Sequence, residues 1–267
     1  MYNFSKFKDL MKGYYELFSY LFSSKTKHFL NLELNLCPVL ILLGLIGVLR
    51  NILEVYIGGE WANEWFALTP DIFLTMFFYP IFLCFFSATL LHFFSNKFGL
   101  KVKMKHVFSV LFFLQITHLF IPFFDGLAEV FSIPYNVILP SATYSKIIFT
   151  PLALSPLIMF FTKPTSLGID IVWIFITFIW LKLYWNKFKF PKIKSLVVLA
   201  ISFYVLYMSI YPTYYFFLNE LVIGSNYMYG LFFMFMSIPS IIYVRTFLKD
   251  NSNIKSDKVL VCPIFKK

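Results

Sequence analysis

The residues best placed to do chemistry in this chain are few and scattered. His118 is followed by Asp125 and Glu129, seven and eleven residues on and close to one helical face, a spacing that could hold a metal ion or relay a proton. The simpler expectation is a histidine hydrogen-bonded to a neighbouring helix. Arg50 precedes Glu54 by one helical turn, which permits an ion pair inside the helix. A long cationic side chain in the outer half of an apolar run more readily snorkels to the interface, so Arg50 is expected there. His92 and His106 flank a lysine-rich connection and are expected to meet headgroups, whereas His28 stands alone.

No catalytic motif is present. There is no His-Glu-x-x-His pair, Gly-x-Ser-x-Gly elbow, phosphate-binding P-loop or dinucleotide glycine fingerprint. The apolar runs hold almost no acids away from their ends, so no intramembrane carboxylate pair is expected. Proton-coupled transport and intramembrane hydrolysis then lack their usual buried ionisable groups. Glu220 reads as a solvated loop acid. The expectation is a protein that is not an enzyme and takes no metal and no cofactor. Cys37 and Cys84 fall inside apolar runs and Cys262 near the end, which suggests no disulfide framework.

The elements that must position these residues are long and apolar. Of 267 residues, 60% are hydrophobic, 22% aromatic and only 13% charged. A soluble domain carries about 25% charged residues. The organising stretch runs from Phe73 to Phe124: an apolar run, the connection Phe94 to His106 with Lys97, Lys101, Lys103 and Lys105, and a second apolar run. About twenty apolar residues cross a hydrocarbon core as helix. Spans are expected near 36–56, 71–94, 107–124, 168–186, 196–217 and 228–248. The fold class is therefore all-α, a polytopic transmembrane bundle of about six spans. Pro80 and Pro122 lie within spans, where neighbouring helices can satisfy the freed carbonyls.

Two further segments frame the bundle. Residues 4 to 23 place Phe4, Phe7, Leu10, Met11, Tyr14, Tyr15, Phe18, Leu21 and Phe22 in the rhythm of one helical face, as an interfacial amphipathic helix does. A helix packed against the bundle fits the same pattern. No cleavable signal is expected, because the first long apolar run starts only near Leu36. Residues 125–170 contain Pro134, Pro140, Pro151, Pro156 and Pro164, so the apolar piece 147–161 reads as an outer re-entrant or interfacial element.

Charge sets the orientation. If 147–161 does not cross, the second basic connection, with Lys182, Lys187, Lys189, Lys192 and Lys194, lies on the same side as the first. Twenty of the twenty-three basic residues are then cytoplasmic, as are both termini. The location is the cell membrane. The division is 1–30 amphipathic, 31–248 transmembrane and 249–267 a basic tail. The net charge of +10 finds its partner in anionic lipid headgroups. Lys97, Lys101, Lys103, Lys105, Lys187, Lys189, Lys192 and Lys194 are the expected contacts with lipid or with a cytoplasmic partner. No segment is long enough to build a nucleic-acid surface.

The run Ala88-Thr-Leu-Leu-His92, then Phe98-Gly-Leu-Lys-Val-Lys-Met-Lys-His-Val-Phe-Ser-Val110, then Ile121-Pro122, resembles the Yip family of membrane proteins, of bacterial or archaeal type. Ile171-Val-Trp173, opening a later span, extends the resemblance over roughly residues 30 to 217. The chain differs in keeping only Gly99 in the hairpin region and in having a sixth span. The resemblance implies a non-enzymatic helical bundle that organises membranes or serves as a partner subunit; the trafficking-GTPase partner of eukaryotic members is not carried over. The alternative is a transporter or permease subunit with a substrate path near the proline-rich segment 125–170.

Overall fold

A computed structural model describes residues 12, 13, 15, 16, 19, 36–58, 68–131, 167–219 and 226–250. Most of the expected amphipathic N-terminus, the proline-rich segment beyond residue 131 and the basic tail lie outside the described residues. The described chain is helical, without a strand. In order it forms α1 (Leu36–Ile57), α2 (Pro70–Lys97), α3 (Met104–Leu114), a 3-10 segment (Gln115–Phe120), α4 (Ile121–Val130), α5 (Leu167–Lys182), a π turn (Leu183–Lys187), α6 (Lys192–Asn219) and α7 (Asn226–Asp250). Four stretches among the described residues are long and apolar enough to cross a membrane: Leu36–Ile57, Pro70–Lys97, Met104–Leu127 and Gly230–Leu248. This is a helical membrane protein. The third stretch outruns its expected end near 124, so Asp125 belongs to a helix rather than to an outer loop.

The faces of α1 state the solvent. Val39, Leu43, Ile46, Arg50 and Glu54 lie along its buried stripe, while Ile41, Leu45 and Leu49 are exposed. A helix in water turns its charges out and its leucines in. Here the charges are inside and the aliphatic residues outside, an arrangement stable only where the surroundings are hydrocarbon. Along α7, Leu231, Phe235, Ile238 and Ile242 present a similar exposed apolar stripe.

α2 is the central post, touching α1, α3, α6 and α7. Lipid tails are as apolar as side chains, so helices in a membrane associate through close packing and small residues rather than through hydrophobic exclusion of water. The crossings of α2 follow that rule. A Cβ at Gly47 would run into the backbone carbonyl of Met76, and one at Gly230 would meet the Leu74 side chain at 3.0 Å. Aromatic rings fill the remaining space: Phe85 packs on Phe108 of α3 at 4.8 Å and Tyr79 on Phe233 of α7 at 5.2 Å.

Pro122 shapes the third span. Proline has no N–H to give the carbonyl four residues back, that of His118, and its ring crowds that oxygen. The His118 carbonyl instead accepts from Ile121, three residues on, and the helix tightens to 3-10 geometry from Gln115 to Phe120. In such a helix residues three apart eclipse. Gln115 and His118 therefore share one face.

The Gly47 crossing is testable. Gly47→Ala places a methyl against backbone that cannot rotate away, and overpacking of this kind costs about 1–3 kcal/mol. The variant in detergent is expected to unfold at lower temperature than Gly44→Ala, whose added methyl first meets the movable Phe77 ring. Equal melting of the two would refute the close α1–α2 crossing.

Candidate functional site

A polar cluster is buried where α1, the 3-10 segment and α4 meet. Arg50 Nη2 and Nε both donate to Glu54 Oε1, at 3.2 and 3.3 Å. Arg50 is 7% exposed and Glu54 fully enclosed. Asp125 of α4 is likewise buried and acts electrostatically on Glu54. The Arg50 guanidinium acts in turn on His118 and on Tyr79 of α2. Asn51, Gln115 and Thr117 are buried as well. Glu54 Oε2 and Gln115 Oε1 are enclosed with no hydrogen-bond partner among the described residues.

Local structure assembles these groups. Arg50 and Glu54 share the inward stripe of α1 through their four-residue spacing. Pro122 sets the register of His118. Gly126 brings α4 against the end of α1, because a Cβ there would collide with the carbonyl of Ile57. The cluster therefore sits in the half of α1 that leads to Ile57.

The opposite end of the bundle is basic. α2 stops in a Schellman motif: Gly99 N–H donates to the Asn96 carbonyl at 3.0 Å and Leu100 N–H to that of Ser95 at 2.8 Å. Gly99 takes φ +77°, which the motif needs at this position. The second connection turns at Lys189, φ +55°, a conformation that costs a residue with a side chain roughly 1–2 kcal/mol. The two connections lie side by side, with His106 stacked on Phe188 at 6.0 Å and Lys103, Lys105 and Lys187 all acting on that imidazole. Lys97, Lys101, Lys103, Lys187, Lys189, Lys192 and Lys194 are exposed and Lys105 half-buried. Ser95 and the Tyr184 hydroxyl, 2.9 Å apart, fasten the platform beneath.

Comparison with protein-family models, curated proteins and solved structures found no match.

Several sequence expectations need correcting. Arg50 does not snorkel to the interface; it turns inward to Glu54. The expected absence of buried ionisable groups is overturned by Arg50, Glu54, Asp125 and His118 together. Composition could not reveal this, because Asp125 follows Glu54 by 71 positions and only the fold joins them. His92 does not meet headgroups. It is buried, its Nδ1 lies 3.1 Å from the Tyr243 hydroxyl, and its Nε2 lies 3.0 Å from the Asn96 amide. An amide donating to Nε2 makes that nitrogen the acceptor and leaves Nδ1–H to donate to Tyr243. Pro122 is buried behind the 3-10 segment. The Glu129 side chain lies outside the described residues, and no group of three metal-binding side chains occurs among those described. Asn51, Gln115 and Tyr79 were missed; three residues before Glu54 and three before His118 are not spacings that single out an amide.

Removing one side of a buried ion pair strands the other, at about 3–5 kcal/mol. Arg50→Leu is therefore expected to lose most of the protein's resistance to denaturing detergent. Adding Glu54→Gln should restore part of it, since one stranded carboxylate becomes neutral. If the double variant is no more stable than Arg50→Leu, the two side chains are not a pair.

Proposed function

We propose that this is a non-catalytic integral membrane protein of Yip-like type, which organises membranes or serves as a partner subunit through a basic cytoplasmic face. The observation that carries the reading is the packing of the two lysine connections against each other through His106 and Phe188. Neither connection contains an acid. Exposed lysines gathered at one end of a membrane bundle meet the phosphates of anionic lipids, each contributing about 1 kcal/mol near such a surface. Six spans place that end and both termini in the cytoplasm, following the bias of lysine toward that side. α5 with its π turn and α6 stand at the fourth and fifth of those spans.

A second reading, a transporter or permease subunit, is favoured by a different observation, the enclosed polar cluster at the other end. Ionisable groups inside a membrane bundle mark substrate and ion paths. In this reading the path runs by Glu54 and Asp125 toward the proline-rich segment.

Orientation is tested by single cysteines in a background lacking the native three. Ala62→Cys and Ser166→Cys are expected to react with an impermeant reagent from outside sealed cells, and Lys103→Cys and Phe190→Cys only after lysis. External labelling at 190 would end the shared cytoplasmic face. The lipid contact is tested by native mass spectrometry from bilayers of mixed phosphatidylglycerol and phosphatidylcholine. The wild type should retain phosphatidylglycerol in excess of its share, and a variant with Lys101, Lys103, Lys187 and Lys189 all changed to Glu should lose that excess. Equal retention by both would point to a protein partner instead of lipid.

A further inference from the structure

Among the described residues, Lys189 is the one residue other than glycine whose backbone takes a positive φ, at +55°. It does so inside a helix-ending motif. After the π turn the Phe188 N–H donates to the Leu183 carbonyl at 3.0 Å, and the Phe190 N–H donates to the Tyr184 carbonyl at 2.9 Å. The Phe190 ring packs on that of Tyr184, 5.6 Å between centroids, the apolar contact that accompanies a Schellman-type end. Such an end needs a left-handed residue just before the one that closes it, and glycine is the usual choice. Lys189 stands in that place.

The first connection meets the same demand differently. α2 ends in the same kind of motif, its closing residue Leu100 is buried, and the left-handed position is held by Gly99. A Cβ at Gly99 would meet nothing within 4 Å, so glycine is there for its backbone and not for want of room. Two neighbouring turns with one backbone requirement thus carry glycine in the first and lysine in the second. A side chain held in this strained region persists only where the surroundings fix it, and such residues gather at ligand clamps.

The surroundings of Lys189 point to the ligand's charge. Lys189 is exposed, while Phe188 and Phe190 on either side are half-buried and stacked on each other at 5.5 Å. Phe188 also stacks on His106, the imidazole on which Lys103, Lys105 and Lys187 act. Lys189 therefore adds a cation to a group already set on a rigid aromatic base. The first turns of α3 and α6, which open on this face, hold no acid. Like charges so placed repel, and a bound anion removes the repulsion. An ammonium donates and a phosphate oxygen accepts, in the stronger, charge-assisted kind of hydrogen bond.

We infer that Lys189, with Lys103, Lys105 and Lys187, forms a discrete subsite for the phosphate of one anionic phospholipid headgroup, and that Lys189 sets its affinity. The subsite lies at the end of the spans, where headgroups are, so the occupant is a lipid and not a free phosphate ion. This rests on the reading of the lysine end as a lipid-facing surface. It adds that one strained lysine, rather than the sum of eight, governs binding.

The test titrates the full-length protein in neutral detergent with phosphatidylglycerol, reads binding by native mass spectrometry, and follows thermal unfolding without lipid. Without lipid, Lys189→Gly is expected to unfold at higher temperature than the wild type, because glycine relieves the backbone. It should nevertheless bind the lipid at least about tenfold more weakly, the loss of a charge-assisted hydrogen bond. Lys194→Ala removes one exposed lysine from the same face and should cost no more than about fivefold, the worth of one charge near an anionic surface. Lys189→Arg keeps the charge on the same backbone and should bind as the wild type does. Equal losses from Lys189→Gly and Lys194→Ala would overturn the subsite and leave the lipid-facing reading intact. A wild type with no preference for phosphatidylglycerol over phosphatidylcholine would sink both. A Lys189→Gly variant no more stable than the wild type would remove the strain on which the inference stands. Inorganic phosphate competing as strongly as the lipid at equal concentration would overturn the lipid as occupant.

Discussion

The inward-facing pair of Arg50 and Glu54 is the constraint around which the other choices in this bundle fall into place. A guanidinium and a carboxylate drawn out of water cost more than their attraction returns unless further polar groups close around them. The fold supplies those groups from elements far apart in sequence: Asp125 from α4, His118 and Gln115 from the 3-10 segment, Tyr79 from α2. Two backbone devices bring the groups of the third span into place. Pro122 tightens the helix that carries Gln115 and His118, and Gly126 lets α4 close on the end of α1. Charge gathered inside is matched by aliphatic cover outside, where Ile41, Leu45 and Leu49 face the surroundings.

The two ends of the bundle divide the labour. At the lysine end, hydrogen bonds and ring stacking hold two connections rigidly: Gly99 closes one, Lys189 turns the other, and His92 is locked between Asn96 and Tyr243. Charge there is displayed. At the other end charge is enclosed. α2 joins the two, and its close crossing at Gly47 couples α1 to the same post that carries Ser95 and Asn96 to the lysine platform.

The helices were largely legible in the sequence because hydropathy over about twenty residues is what a bilayer demands of a span. α1, α2 and α7 begin and end within a few residues of their expected limits. The site was much less legible. The four-residue step from Arg50 to Glu54 was visible, but not which way that face turns, because the same spacing serves a snorkelling residue and an internal pair. His92 was misjudged for a related reason: it stands next to lysines in sequence, yet its partner Tyr243 lies 151 positions away. Pro122 announced a break in the helix without announcing that the break would be a tightened turn bringing Gln115 over His118.

The pairing of Arg50 with a residue of its own helix bears on how the chain enters the bilayer. An arginine at the centre of an inserting helix costs about 2.5–3.5 kcal/mol on insertion scales. The groups that surround it in the finished bundle lie on helices made later, so α1 must tolerate its charge before they arrive. Glu54 offers a neutralising partner one turn away at the moment of insertion, and the aliphatic face of Ile41, Leu45 and Leu49 supplies the drive into lipid. The first span can thus wait in the membrane as a self-contained unit.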